Sequence, residues 1–205
     1  MLHRPHIYLA SQSPRRRELL KQIGVNFELL LLRHDTRRAN NVDETPAHDE
    51  IPSDYVQRIC RDKANAAWNA LHFRNLPPHP VLAADTTVAL NGKIIGKPRN
   101  REDAAVILHQ LSGTQHQVLS AVALAFEERL ELRLCTTTVT FAVLDKERIR
   151  RYLLSNEAHD KAGGYGIQGI ACAFVQRIEG SYSGVMGLPL FETVELLRNF
   201  GYPAP

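Results

Sequence analysis

Three arginines stand in a row just after a short apolar strand, in the stretch Ser11-Gln12-Ser13-Pro14-Arg15-Arg16-Arg17. Ser13 reads as an N-cap and Pro14 as the first helical residue. A helix N-terminus already carries roughly half a positive charge, so cations in the first turn are unfavourable unless an anion binds there. Free backbone N–H groups, the hydroxyls of Ser11 and Ser13 and two or three of the guanidiniums of Arg15, Arg16 and Arg17 together make a phosphate cradle. The competing reading is a solvated basic face.

A carboxylate comes next. Asp85 closes the apolar run Val81-Leu82-Ala83-Ala84, which has the character of a strand buried on both faces. Ligands of open α/β sheets bind beyond the carboxyl ends of such strands. A carboxylate there could hold a metal or orient water, or merely cap a turn. Lys63 shares a helical face with Val56, Ile59, Cys60, Ala67 and Leu71. An ammonium in that stripe must snorkel, find a carboxylate or face an anion. Lys97 is held in a loop between Gly96 and Pro98, a weak signal for phosphate contact. Glu44 could supply a second carboxylate to Mg²⁺ or Mn²⁺, since hard cations take one or two protein carboxylates and complete their shell with phosphate and water. Gln168, within the glycine-rich stretch 162–169, has an amide able to read a nucleobase edge. That stretch is neither a P-loop nor a dinucleotide fingerprint.

The elements that must place these residues alternate along the chain. Strand, helix and a second apolar run (Phe27 to Leu32) are followed by a long polar stretch. A helix capped by Ser53 or Asp54 then runs to about Leu71, and the strand from Val81 to Ala84 follows. Asn91-Gly92 predicts a type I′ hairpin. A helix from Glu102 to Leu111, two β-prone runs (Gln117 to Phe126, Leu130 to Val143), a helix capped by Asp145, a strand from Ala173 to Ile178 and a closing helix begun by Pro189 complete the series. This predicts an α/β fold, a mixed twisted sheet with flanking helices.

The 205 residues, 44% hydrophobic, suffice for one domain with a sizeable core. A net charge of +3 falls short of the one-sided excess of a nucleic-acid binder, so no nucleic acid is expected as partner. The nine histidines are scattered and the three cysteines lack a CxxC pair, which excludes a zinc cluster and points to buried thiols in a reducing compartment. No targeting segment or membrane-length apolar run is evident, so a cytoplasmic protein with no membrane partner is expected.

Taken together, Leu9 to Leu20, Val42-Asp43-Glu44, Ala84-Asp85-Thr86, Gly96-Lys97-Pro98, Tyr165-Gly166-Ile167-Gln168-Gly169 and Gly180 to Leu190 resemble the Maf family of nucleoside triphosphate pyrophosphatases, over residues 6 to about 200. The resemblance implies a single domain over 1–205, an elongated two-lobed fold like that of the inosine triphosphate pyrophosphatases, with an interlobe cleft. It implies hydrolysis of a nucleoside triphosphate between the α and β phosphates with a divalent metal. Asp85 then corresponds to the proton acceptor that activates water, with Glu44 and Asp85 as metal-binding acids. Arg15, Thr86 and Gln168 match positions linked to base selection, while Ser11, Arg16, Lys63 and Lys97 match polar and cationic cleft residues. Asp85-Thr86 and Ile167-Gln168-Gly169 are similar to the dTTP and UTP branch, which extends to modified pyrimidine nucleotides. The branch acting on 7-methyl-GTP, another modified purine, or a nucleotide-responsive regulator of division are the alternatives. The family was first associated with septum formation, and a homodimer is common in it. The basic segment from Leu30 to Asn41, with Arg33, Arg37 and Arg38, is longer than the family pattern leads one to expect.

Overall fold

The computed structural model describes residues 6–32 and 42–205. Arg33, Arg37 and Arg38 of the basic segment lie outside the described residues.

Seven strands form one mixed sheet in the order β2-β1-β3-β5-β6-β7, with β4 added to β3. They are β1 (Ile7–Leu9), β2 (Phe27–Leu29), β3 (Val81–Leu90), β4 (Lys93–Ile95), β5 (Gln115–Phe126), β6 (Arg129–Phe141) and β7 (Val175–Glu179). β1 runs parallel to β2 and β3, and all other pairings are antiparallel. The helices are α1 (Pro14–Gln22), α2 (Pro52–Phe73), α3 (Arg101–Leu111), α4 (Lys146–Leu153), α5 (Tyr182–Met186) and α6 (Leu190–Asn199). The α/β expectation with flanking helices therefore holds. No helix among the described residues is long and apolar enough to cross a membrane.

Strand alternation sorts the core. Val81, Ala83 and Ala89 pack with Val56, Cys60, Ala64, Ala67 and Leu71 of α2. The alternate residues Leu82 and Ala84 pack with Leu19 and Leu20 of α1 and Leu196 and Leu197 of α6. A third cluster joins Val88, Val118 and Phe141 to α3, α4, Tyr165 and Phe174.

The structure corrects several local expectations. β3 does not stop at Ala84 but continues through Asp85, Thr86 and Thr87 to Leu90, because β5 pairs with it without a break from Val81↔Ala125 to Ala89↔Gln117. The two β-branched threonines suit that extended run. Helix α2 is capped by neither Ser53 nor Asp54: Ile51 occupies the N-cap, with Pro52 in the first turn and no side-chain cap bond. Only Phe27–Leu29 of the second apolar run forms a strand. Cys60 and Cys135 are buried as expected, whereas Cys172 is exposed. The turn Asn91-Gly92 has φ of 51° and 76°, the left-handed pair that a type I′ hairpin requires.

Candidate active site

The site follows from what borders β3. One edge of β3 is taken along its whole length by β5. The other edge is shared by two short strands. β1 reaches only to Leu82, where the Ala10 N–H donates to the Leu82 carbonyl at 2.9 Å, and β4 begins at Val88. Between them, residues 83–87 face a gap. A cleft of about 790 Å³ occupies it, within the range of small-molecule sites. Its walls include Ser11, Ser13, Arg15 and Arg16, which follow β1, and Lys97, which follows β4. Asp85 is therefore a mid-strand residue, yet it still lies beyond the carboxyl end of a parallel strand, that of β1.

Alternation places Asp85 on the α2 face with Ala83, opposite Lys63. The Lys63 Nζ donates to Asp85 Oδ1 at 2.7 Å and lies 2.7 Å from Glu44 Oε1. Of the options open to this lysine, the structure takes the carboxylate, twice over. Burial pushes the Glu44 carboxyl up, but Lys63, with Lys97 and Arg16 behind it, outweighs burial and holds it below the ordinary range. Burial and the nearby Asp85 push the Cys60 thiol up to about 12, so it stays an uncharged core group.

Thr86 points to the other face and meets Arg16. The Arg16 Nε donates to the Gly187 carbonyl at 2.7 Å, one Nη to Ser11 Oγ at 3.1 Å and the other to Thr86 Oγ1 at 3.4 Å. Thr86 Oγ1 also lies 2.8 Å from Ser120 Oγ. Burial lowers the Arg16 pKa while Asp85 opposes the shift, and a guanidinium stays charged under either influence. Ser13 is the N-cap of α1 as expected, but its hydroxyl makes no cap bond; its N–H donates to Ser11 Oγ at 3.2 Å.

Glu44 lies on a strap, residues 42–50, that is tied to α2. Arg58 grips Glu50 through two bonds of 2.7 Å and donates to the carbonyls of Asp43 (3.3 Å) and Thr45 (3.1 Å). The Tyr55 hydroxyl donates to the Glu44 carbonyl at 2.9 Å.

Nine of the ten residues singled out in the sequence therefore line one cleft: Ser11, Ser13, Arg15, Arg16, Glu44, Lys63, Asp85, Thr86 and Lys97. Gln168 does not; it is exposed, and its neighbour Ile167 lines the wall instead. Sequence reasoning missed Asp160, Lys161, Tyr165 and the Gly187 carbonyl. Lys161 donates to the Glu157 carbonyl at 2.6 Å and to Asp160 at 2.5 Å. A Cβ on Gly166 would sit 2.9 Å from an Arg15 Nη and 3.0 Å from the Lys161 stem, so the glycine lets both cations approach. The adjacent glycines were the one available signal. Five cations (Arg15, Arg16, Lys63, Lys97, Lys161) against three carboxylates (Glu44, Asp85, Asp160) make the cleft a receptor for an anion.

Among the described residues no group of three or more His, Cys, Asp or Glu is placed to hold a metal. Glu44 and Asp85 nevertheless form a pair of hard oxygen donors facing one point. That fits Mg²⁺ or Mn²⁺ when substrate oxygens and water supply the remaining ligands.

The sequence matches the family described as Maf-like protein over residues 6–200. A dTTP/UTP pyrophosphatase of Aromatoleum aromaticum is 56% identical over 198 residues, covering 96% of both chains. Its counterpart in Nitrosomonas europaea is 55% identical, over 95% of this chain and 94% of its own. That of Dechloromonas aromatica is 50% identical, over 96% and 98%. Among solved structures, the Staphylococcus aureus Ham1 protein aligns with a TM-score of 0.45 and 18% identity, over 67% of this chain and 72% of its own, too distant a likeness to argue from.

Proposed function

Because the chain belongs to the Maf family, we propose that it is a nucleoside triphosphate pyrophosphatase acting on dTTP and UTP in the cytoplasm, releasing the nucleoside monophosphate and pyrophosphate. The observation that carries this reading is the near-complete, 50–56% identity to dTTP/UTP pyrophosphatases, together with a cation-rich cleft built around a lysine-bridged carboxylate pair.

Phosphoanhydride hydrolysis needs little covalent chemistry from a protein; positioning and charge stabilisation dominate. Arg16, Lys63 and Lys97 bind the triphosphate oxygens. Asp85 accepts a proton from water. The water oxygen bonds to the α-phosphorus, the bond from that phosphorus to the α–β bridging oxygen breaks, and the bridging oxygen leaves with pyrophosphate. A divalent cation on Glu44 and Asp85 supplies neutralising charge to the phosphates when bound. Thr86 and Arg15, both lining the cleft, read the base, whereas the exposed Gln168 is not placed to touch it.

Hydrolysis of UTP in ¹⁸O-labelled water tests the bond assignment. Label confined to UMP is the expected result; label in pyrophosphate, or release of orthophosphate and UDP, contradicts it.

A further inference from the structure

Lys63 rises from a face of α2 that otherwise carries Val56, Cys60, Ala64, Ala67 and Leu71. Its side chain is 19% exposed, confined between Asp85 at 12% and Glu44 at 48%. The ammonium lies 2.7 Å from an oxygen of each carboxylate. Those two oxygens are therefore at most twice that distance apart, with the nitrogen between them. A cation held by those same two oxygens takes that same point, at metal–oxygen distances of about 2.1 Å for Mg²⁺. A nitrogen and a metal ion cannot occupy it together. With no third acidic, His or Cys ligand grouped there among the described residues, the single lysine charge offsets a large share of the field that would draw a metal in.

We propose that Lys63 is an internal counter-cation: it competes with the divalent metal for Glu44 and Asp85 and yields its place when a triphosphate offers the ammonium other oxygens. This rests on reading Glu44 and Asp85 as the metal's carboxylates. Metal on its own then binds weakly, and firm binding comes with the nucleotide. Lys63 is a binding residue with two successive anionic partners, the carboxylates first and phosphate second.

The test is Mn²⁺ binding to the full chain without nucleotide, read from the electron paramagnetic resonance signal of the free ion. Lys63→Met is expected to bind Mn²⁺ at least about tenfold more tightly than the wild type, because the two carboxylates lose the cation that contacts both. Lys63→Arg, which keeps the charge, is expected within about threefold of the wild type. Equal or weaker Mn²⁺ binding by folded Lys63→Met overturns the proposal, and Lys63→Gln is read the same way should the methionine variant not fold. In the wild type, saturation with Mg²⁺ is expected to shift the nuclear magnetic resonance signals of the Lys63 ε-methylene; signals that stay in place overturn it without any variant. Hydrolysis is not read in either measurement. Tightened Mn²⁺ binding in a protein that cleaves no nucleotide would keep the role of Lys63 and remove the pyrophosphatase reading.

Discussion

Arg16, in the first turn of α1, donates its Nε at 2.7 Å to the carbonyl of Gly187, 171 residues further along the chain. That bond joins the cation-rich start of α1 to the turn between α5 and α6, and Gly187 makes it with φ at 112°. An L-residue is strained there. A Cβ would meet Arg16 Nε and Thr86 Oγ1 at an ordinary 3.7 Å, so the cost is in the backbone and not in crowding. Gly187→Ala is expected to lose about 1–2 kcal/mol of stability, read as a lower denaturant midpoint, and to lower turnover as relief of the backbone strain displaces the carbonyl that anchors Arg16. A midpoint equal to wild type would show that the turn adapts freely.

Asp85→Asn keeps the side chain's shape and removes its ability to take a proton. Turnover is expected to fall by about 10²–10⁴-fold, the usual scale for a lost general base. Lys63 keeps its contact with Glu44, 2.7 Å away, so nucleotide binding by calorimetry should persist. Near-normal turnover in the folded variant would remove Asp85 from the chemistry.

The strap that carries Glu44 has its own acid limit. The hydrogen bonds from Arg58 hold the Glu50 carboxyl down from 4.5 to about 2. A depressed folded-state pKa contributes stability above the unfolded value and loses it as pH falls through the folded one. The clamp is thus complete above about pH 4.5 and dissolves between there and about pH 2. The Ala47 N–H, which donates to Glu50 at 2.9 Å, should lose its protection from exchange, relative to the intrinsic rate at each pH, across that window. Arg58→Met should give the faster exchange already at neutral pH; unchanged exchange would mean that other contacts hold the strap.

A second acid response has a different source. His116 is 2% exposed, its Nε2 lies 2.8 Å from the Tyr165 hydroxyl and its Nδ1 has no partner. Burial lowers its pKa from 6.5 to about 4. A histidine buried neutral favours the unfolded state as pH falls below 6.5, with the penalty complete below about 4. The full effect is up to about 3 kcal/mol. His116→Phe, beside Phe141 and Tyr165, should flatten the stability–pH curve between those values. Wild-type slope retained in the variant would place the response elsewhere.

Much of the site was legible because its signals are local. Cations at a helix start violate the dipole preference, a lysine interrupts an apolar stripe on α2, and an acid follows an apolar strand; each anomaly proved to face the cleft. The continuation of β3 past Asp85 was not legible, since pairing with β5 decides it and pairing is non-local. The same holds for Arg16 and Gly187, and for His116 with Tyr165, where neither residue announces its partner. Gln168 shows the converse limit. A motif places a residue along the chain, but whether the side chain faces the cleft depends on how the turn 166–169 folds, here with the Gly169 N–H bonded to the Gly166 carbonyl at 3.0 Å.

Pyrophosphate release from a panel of nucleoside triphosphates, with Mg²⁺ or Mn²⁺ and an EDTA control, tests the nucleotide assignment. Metal-dependent turnover of dTTP and UTP, with little on 7-methyl-GTP and the unmodified purines, is the predicted result. A folded protein that releases pyrophosphate from none of them, or prefers a modified purine, would not be a dTTP/UTP pyrophosphatase.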